Sequence, residues 1–295
     1  MAVITVIGVS MIIFVAARLS GDVALLLASE DATDEEIQTI RIELGLDKPV
    51  PVQYYIFVKN ALQGDFGQST RYNQPAIKLV LNRIPATLEL GFTGFAMALI
   101  LGIIFGTIST IRRGGLFDWA GKIFAMLGQS MPGFWTGIML ILLFGVYLGW
   151  LPTSGRGGIQ HLIMPAFSMG WYSISAIMRL TRSSMLDVMD SEYIKMARIK
   201  GNPERVVIWK HALRNALIPI VSLAGFQLAV LIGGTAVIES VFRWPGVGSL
   251  MIDAIFNRDY AVIQAGALIV CTTVVIVNLF IDLLYGVINP RIQYE

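Results

Sequence analysis

The sequence predicts an all-α integral membrane protein with six transmembrane helices. Three observations carry this. The 295 residues are 55% hydrophobic and only 14% charged, with mean hydropathy +0.69, against about 45–50% and about 25% in a soluble domain. Long apolar runs recur along the chain, each closed by a charge, a proline or a glycine cluster. One strongly polar, basic stretch, Ser191 to Val221, is held between two of those runs.

Taken in order, Ala2 to Ala17 is uncharged and ends at Arg18. It is somewhat shorter than the ~20 residues of a usual span. No basic residues precede it, so a first transmembrane helix with a truncated start is favoured over a signal peptide. Residues 18–86 form the one extended polar region. Within it Thr33 to Glu43 should be a capped amphipathic helix, with Asp34, Glu35 and Glu36 in its first turn. Pro51 to Leu62 should be a second helix, and Pro75 to Arg83 a third that stops at Pro85. The second span is Thr87 to Ile111, with Glu89 near one end and Arg112 and Arg113 closing the other. The third, Ile123 to Leu148, is interrupted at Pro132 and Gly133. Neighbouring helices must then satisfy the freed carbonyl. The fourth runs from Leu162 to about Leu180, the fifth from Pro219 to Ile238 and the sixth from Val262 to Leu284.

Between the fourth and fifth spans the chain reads as a helical hairpin. Met185, Met189, Tyr193 and Ala197 recur at helical spacing as one apolar stripe. Gly201 is a natural stop, because a left-handed residue after a helix is cheap only for Gly or Asn. Asn202 can cap a second helix, with Pro203 at its first position and Glu204 in its first turn. The turn at Lys200 to Glu204 should protrude furthest. The short loops give orientation. Residues 112–122, 179–218 and 285–295 share one side and carry twelve basic residues, against Arg156, Arg243 and Arg258 opposite. The hairpin and both termini are therefore expected in the cytoplasm, and 18–86 outside.

The hairpin residues Glu192, Tyr193, Ala197, Arg198, Lys200 and Gly201, followed by His211-Ala212-Leu213-Arg214-Asn215-Ala216-Leu217 and Pro219, resemble the "EAA" loop of ABC importer permeases. The match is to the dipeptide/oligopeptide/nickel branch. The region around Leu44-Gly45-Leu46-Asp47-Lys48-Pro49, then Gly64-Asp65, then Arg83 to Leu90, resembles the extracytoplasmic part of that same branch. The resemblance implies a type I permease fold in a bacterial or archaeal cell inner membrane. It implies partners: ABC ATPase subunits, an extracytoplasmic solute-binding protein and a second homologous permease, the pair being a heterodimer. It assigns ATPase coupling to Glu192, Tyr193, Ala197, Arg198, Lys200, Gly201, Asn202 and Pro203. Ala197 would pack, Gly201 would turn the chain and Glu192 would anchor the loop. The expected division is 1–86, a permease domain 87–285 with its hairpin at 183–217, and a tail 286–295. The cargo would be a di- or oligopeptide, with nickel, glutathione and oligosaccharide left open.

The stretch Glu239-Ser240-Val241-Phe242-Arg243-Trp244-Pro245-Gly246-Val247-Gly248 and the later Asn257-Arg258-Asp259-Tyr260 also resemble the branch. They are candidates for an outer gate or a binding-protein seat, with Glu239 and Arg243 able to pair on a short helix. Gly233 and Gly234 would either permit close helix contact or line the pathway.

No catalytic constellation stands out. A G-x-x-x-x-G-K-[ST] loop is missing, so ATP hydrolysis belongs to another chain. No cofactor is expected. His161 and His211 make no ligand pair, Cys271 reads as a small packed hydrophobe, and a net charge of +2 gives no reason to invoke nucleic acid. Asp282, near the end of the last span, is either a functional carboxylate or a hydrated partner of Arg291. An ion-coupled secondary transporter is the distant alternative. It should carry coupling-ion groups near the midplane, where these spans are almost free of charge. A membrane-embedded enzyme or scaffold would need clustered catalytic groups or a different partner set.

Overall fold

The computed structural model describes residues 2–19, 33–43 and 45–288. They are helical almost throughout: α1 Ala2–Leu19, α2 Asp34–Glu43, α3 Val50–Leu62, α4 Ala76–Ile111, α5 Leu116–Ser130, α6 Gly133–Leu140, α7 Ile159–Met189, α8 Glu192–Ile199, α9 Glu204–Gly233, α10 Ala236–Val241, α11 Val247–Phe256 and α12 Tyr260–Ile288. The chain divides into two compact units. The first contains residues 1–87 and 245–276, the second 88–244 and 277–295.

In the first unit the polar helices start as the sequence dictates. Thr33 N donates to Glu36 Oε2 and Glu36 N to Thr33 Oγ1, at 2.9 and 3.4 Å, the reciprocal box that satisfies two orphan donors of α2. Ala76 and Val80 of α4 bury themselves against Val247, Leu250 and Ala254 of α11 and Val262 and Ala265 of α12. Asp259, almost fully buried, accepts from Ser69 Oγ and from the Val262 backbone at the start of α12. It thereby ties the loop before α4 to the head of α12.

In the second unit α7 is central and packs against α5, α6, α9 and α10. It carries buried Ser168, Ser173, Ser175 and Thr181. Ser168 and Ser175 donate to the carbonyls four residues back, at 2.7 and 3.1 Å, so these hydroxyls enter an apolar core satisfied. Glycine lets α4 approach it closely. A methyl group on Gly94, Gly102 or Gly106 would lie 2.6–3.2 Å from Ala166, Ile177 or Thr181, the small-residue contact expected between membrane helices.

Several expectations need correction. The short helix at 75–83 does not stop at Pro85 but runs on as α4. The carbonyl that Pro85 leaves without a donor belongs to Leu81, which is exposed. Pro219, expected to begin the fifth span, likewise lies inside α9, and the residue four before it, Asn215, is exposed. The interruption at Pro132 is more than a kink: Leu116–Ser130 and Gly133–Tyr147 are bent by 112°. By length and composition three described helices can cross a membrane, Ala76–Ile111, Glu204–Gly233 and Tyr260–Ile281, or four with the bent pair. The six-span expectation counts two more. α1 is short, and α7, ample at 31 residues, is less apolar because its inward face is built of hydroxyls and carries Arg182. Asp282's side chain and Arg291 lie outside the described residues.

Replacing Gly106 by Val should separate α4 from α7, since its β-carbon would sit 2.6 Å from Thr181 Cβ and 2.7 Å from the Met178 carbonyl. Overpacking of this kind costs about 1–3 kcal/mol. A thermal melt of the detergent-purified protein should show a lowered midpoint.

Candidate functional site

The hairpin is α8, a turn and the first part of α9. α7 ends at Met189, and Ser191 Oγ donates to the Val188 carbonyl at 2.6 Å. This break rephases the chain. The stripe predicted through Met185, Met189, Tyr193 and Ala197 therefore does not continue as one line. Ile194 and Ala197 turn inward with Met185, Val207, Ile208, Ala212 and Leu213 into one small core. Tyr193 faces out and is 50% exposed. Met196 and Ile199 follow it at three-residue spacing and are 53% and 77% exposed.

Gly201 turns the chain at φ +79°, and a β-carbon there would meet nothing within 4 Å. The glycine is thus required by backbone conformation and not by crowding. Asn202 does not cap α9. Its Nδ2 donates backward to the Ala197 carbonyl at 2.9 Å, while Pro203 takes the cap position without a side-chain bond. The reason is geometric: after a left-handed glycine the next side chain lies over the last turn of the preceding helix, whose carbonyls want donors. Arg198 closes the turn against Glu204 at 2.8 Å. That hydrogen bond holds the Arg198 guanidinium above its ordinary value. Across the hairpin the Tyr193 hydroxyl and His211 Nδ1 are hydrogen-bonded at 2.8 Å, which gives His211 a structural place. Glu192 is highly exposed and bonds Lys195 at 2.7 Å. Among the described residues that is its one side-chain bond.

His211 lies in a stretch of wide helical turns, Val207–Ala212, an irregularity that often marks functional positions.

A buried ionic cluster sits where α7 approaches the hairpin. Asp118 of α5 is 1% exposed. It accepts from Arg182 Nε at 2.8 Å and from Arg182 Nη2 at 3.1 Å, from Ser109 Oγ at 2.7 Å and from the Gly114 backbone at 3.0 Å. Lys122 Nζ is 3.1 Å away. One carboxylate thus fixes the end of α4, the loop after it, α5 and α7. Sequence reading missed it, although an aspartate five residues after a double arginine, at the edge of an apolar run, was a visible signal.

At the far end of the second unit, Glu239 is fully buried and Trp244 N donates to its carbonyl at 2.7 Å. Arg243 is exposed at φ +49°. α10 ends at Val241, so Arg243 no longer shares a helix with Glu239. Arg156 instead reaches Glu89 at 2.5 Å, and its guanidinium lies 5.9 Å from the centre of the Trp244 ring. In the first unit Asp259, and not the exposed Arg258, makes the buried contacts. Gly234 lines a cavity of about 330 Å³ between α6, α7, α9 and α10. Gly233 is exposed at the end of α9. The predicted coupling residues are therefore gathered in one place, whereas the outer-gate residues are divided between the two units.

Three helices long and apolar enough to cross a membrane, with an internally braced hairpin at the head of one of them, mark a helical membrane protein. Residues 90–294 match the family described as binding-protein-dependent transport system inner membrane component, and residues 1–91 match its N-terminal companion. The chain belongs to this family. It is 40% identical over 277 residues to the glutathione transport system permease protein of Pectobacterium atrosepticum, covering 94% of this chain and 90% of that one. It is 37% identical over 324 residues to the dipeptide transport system permease protein of Escherichia coli K12, covering 99% and 96%. The inward-facing MetNI methionine ABC transporter shares the fold, with a TM-score of 0.56 at 16% identity over 72% of this chain and 96% of that one.

Replacing Asp118 by Asn should leave Arg182 half-buried without its counter-charge, and breaking a buried pair in this way costs about 3–5 kcal/mol. The variant should accumulate poorly and melt early, whereas K122A, at an exposed amine, should be nearly silent in the same melt.

Proposed function

We propose that this chain is one permease of a binding-protein-dependent ABC importer for di- or oligopeptides. Its hairpin would dock on a separate ATPase subunit, and its outer loops would receive a solute-binding protein. A second, related permease completes the pathway. The reading places both termini and the hairpin in the cytoplasm, with α1 and α7 completing six crossings. The single observation that carries coupling is the apolar ridge Tyr193, Met196 and Ile199. It is exposed on a helix whose opposite face, Ile194 and Ala197, is buried. A partner pushing on that ridge moves the hairpin as one body, because its two limbs share a core and the Tyr193–His211 bond. Only a partner that binds two conformations differently can shift the balance between them.

Peptide cargo rests on the dipeptide permease relative and on the resemblance of the 44–90 region to the peptide branch. The glutathione permease relative keeps glutathione, itself a peptide, as a second reading.

The experiment is affinity purification in mild detergent, with mass spectrometry of the co-purifying chains and any ligand. A second permease and ATPase subunits are expected. A chain that comes out alone and moves solute without ATP would instead be a secondary transporter.

Two variants test the hairpin. G201L should insert normally, since a β-carbon there meets nothing within 4 Å, although the left-handed backbone costs roughly 1–2 kcal/mol. Uptake per ATP hydrolysed should fall about tenfold, within the usual span of coupling energies. I199D should lose the ATPase subunit on purification. Normal coupled uptake in both variants would refute the docking role.

A further inference from the structure

Two adjoining cavities of the first unit have no part in coupling or in the passage of cargo. One is a groove of about 560 Å³ between α1, α3 and α12, within the ~300–1,000 Å³ range of ligand pockets. The other, about 200 Å³, has Arg18, Gln53, Asn60 and Asp65 in its wall. Phe57 and Phe66 line both, so the two cavities adjoin.

The groove is apolar in what it offers a ligand. No charged residue lines it. Its hydroxyls bond within the protein: Ser10 Oγ donates to the Ile7 carbonyl at 2.7 Å and pairs with the Tyr54 hydroxyl at 2.8 Å, and Thr272 Oγ1 donates to the Leu268 carbonyl at 2.8 Å. A peptide would bring backbone N–H and C=O groups with nothing to meet them, which is costly. An acyl chain brings none. Leu268, Thr272 and Val275 stand on Tyr260–Ile281, which is long and apolar enough to cross a membrane, so lipid is the ligand at hand.

The small cavity has the opposite character. Gln53 is 9% exposed. Its amide nitrogen donates to the Leu46 and Lys48 carbonyls at 3.1 and 2.7 Å, but its buried Oε1 accepts nothing among the described residues. Arg18 holds its guanidinium 4.9 Å from the centre of the Phe14 ring, and its buried Nε has no hydrogen-bond partner among the described residues either. One unpartnered acceptor and one unpartnered donor thus belong to the wall of the same cavity. Such groups are costly unless a ligand or water completes them. Asp65, exposed, adds a negative charge, with Oδ1 accepting from Gly67 N at 2.9 Å. The fitting headgroup carries an anion for the guanidinium and an N–H donor for the two oxygen acceptors.

We propose that the two cavities bind one molecule of phosphatidylethanolamine, with its phosphate on Arg18, its ammonium at Gln53 and Asp65, and one acyl chain in the groove. Guanidinium and phosphate are a favoured pair. Phosphatidylcholine has the same phosphate, but its nitrogen bears no hydrogen to donate. Phosphatidylglycerol can donate through hydroxyls, yet it brings net negative charge beside Asp65. The acyl chain covers Val3, Ile7 and Leu62, lining residues that are otherwise exposed. The lipid thereby ties α1 to α3 and α12. Nothing in this depends on which cargo the importer carries.

The test uses the detergent-purified importer, stripped of lipid and then offered phosphatidylethanolamine, phosphatidylglycerol or phosphatidylcholine with identical acyl chains, with bound lipid counted by native mass spectrometry. One phosphatidylethanolamine should be retained per permease, with an affinity about tenfold or more above that of the other two. R18Q should lose about tenfold in that affinity, and A61F, which fills the groove from α3, should lose as much. Added phosphatidylethanolamine should raise the melting midpoint of the wild type and leave that of R18Q unchanged. Equal retention of the three lipids would mean annular lipid only and would overturn the site, as would wild-type affinity in both variants. Retention of no lipid would mean that water alone completes Gln53 and Arg18, and the proposal would fail. The lipid preference of the unaltered protein decides the matter even where a variant does not fold.

Discussion

The second unit depends on one buried carboxylate. Asp118 is nearly inaccessible, yet it is surrounded by donors from four segments of chain: Ser109, Gly114, Lys122 and Arg182. A charge in such a place is tolerated only when fully paired, so the pairing dictates where those segments must lie. Arg182 is seven residues before the end of α7. Holding it fixes the direction in which the chain leaves α7 and enters the hairpin. On one side of this point the glycines of α4 let α7 approach closely, and on the other the hairpin begins. The pair therefore lies where the helix bundle gives way to the hairpin.

The hairpin itself is built to behave as one body. Its core is small, but every inward position is filled: Ile194 and Ala197 from one limb, Val207, Ile208 and Ala212 from the other. The exposed Arg198–Glu204 pair adds little energy by itself, about 0–1 kcal/mol. It acts by geometry, closing the turn on one side while Asn202 closes it on the other. Exposed apolar side chains on such a braced element have no reason in internal stability. They make sense as a surface that another protein covers.

Much of this was legible in the sequence. Composition and apolar runs identify a helical membrane protein, and the start of α2 and the turn at Gly201 follow from cap and glycine chemistry. The residues of the hairpin carry the family resemblance. What was not legible has a common physical cause. Prolines are read as stops, but Pro85 and Pro219 sit where the carbonyl left without a donor belongs to an exposed residue, so the helix passes through. Phase is read by counting, but the count fails across Asp190 and Ser191, where one helix ends and another begins. Pairs far apart in sequence, Glu89 with Arg156 and Ser173 with Gln227, carry no local signal at all. The Asp118–Arg182 pair spans 64 residues for the same reason.

The departures from regular helix fall at the two ends of α9 and in one stretch of wide turns beyond α6, Ile141–Tyr147. The sharp bend between α5 and α6 and the end of α9 at Gly233 and Gly234 border the same cavity. The wide turns at Val207–Ala212 lie in the hairpin, at the other end of α9. The cavity and the hairpin thus lie at opposite ends of one helix, α9. Its rise of about 1.5 Å per residue makes it long enough to link a displacement of the hairpin to the cavity. It can do so only if its interior stays regular, and from Leu213 to Gly233 it does, Pro219 included.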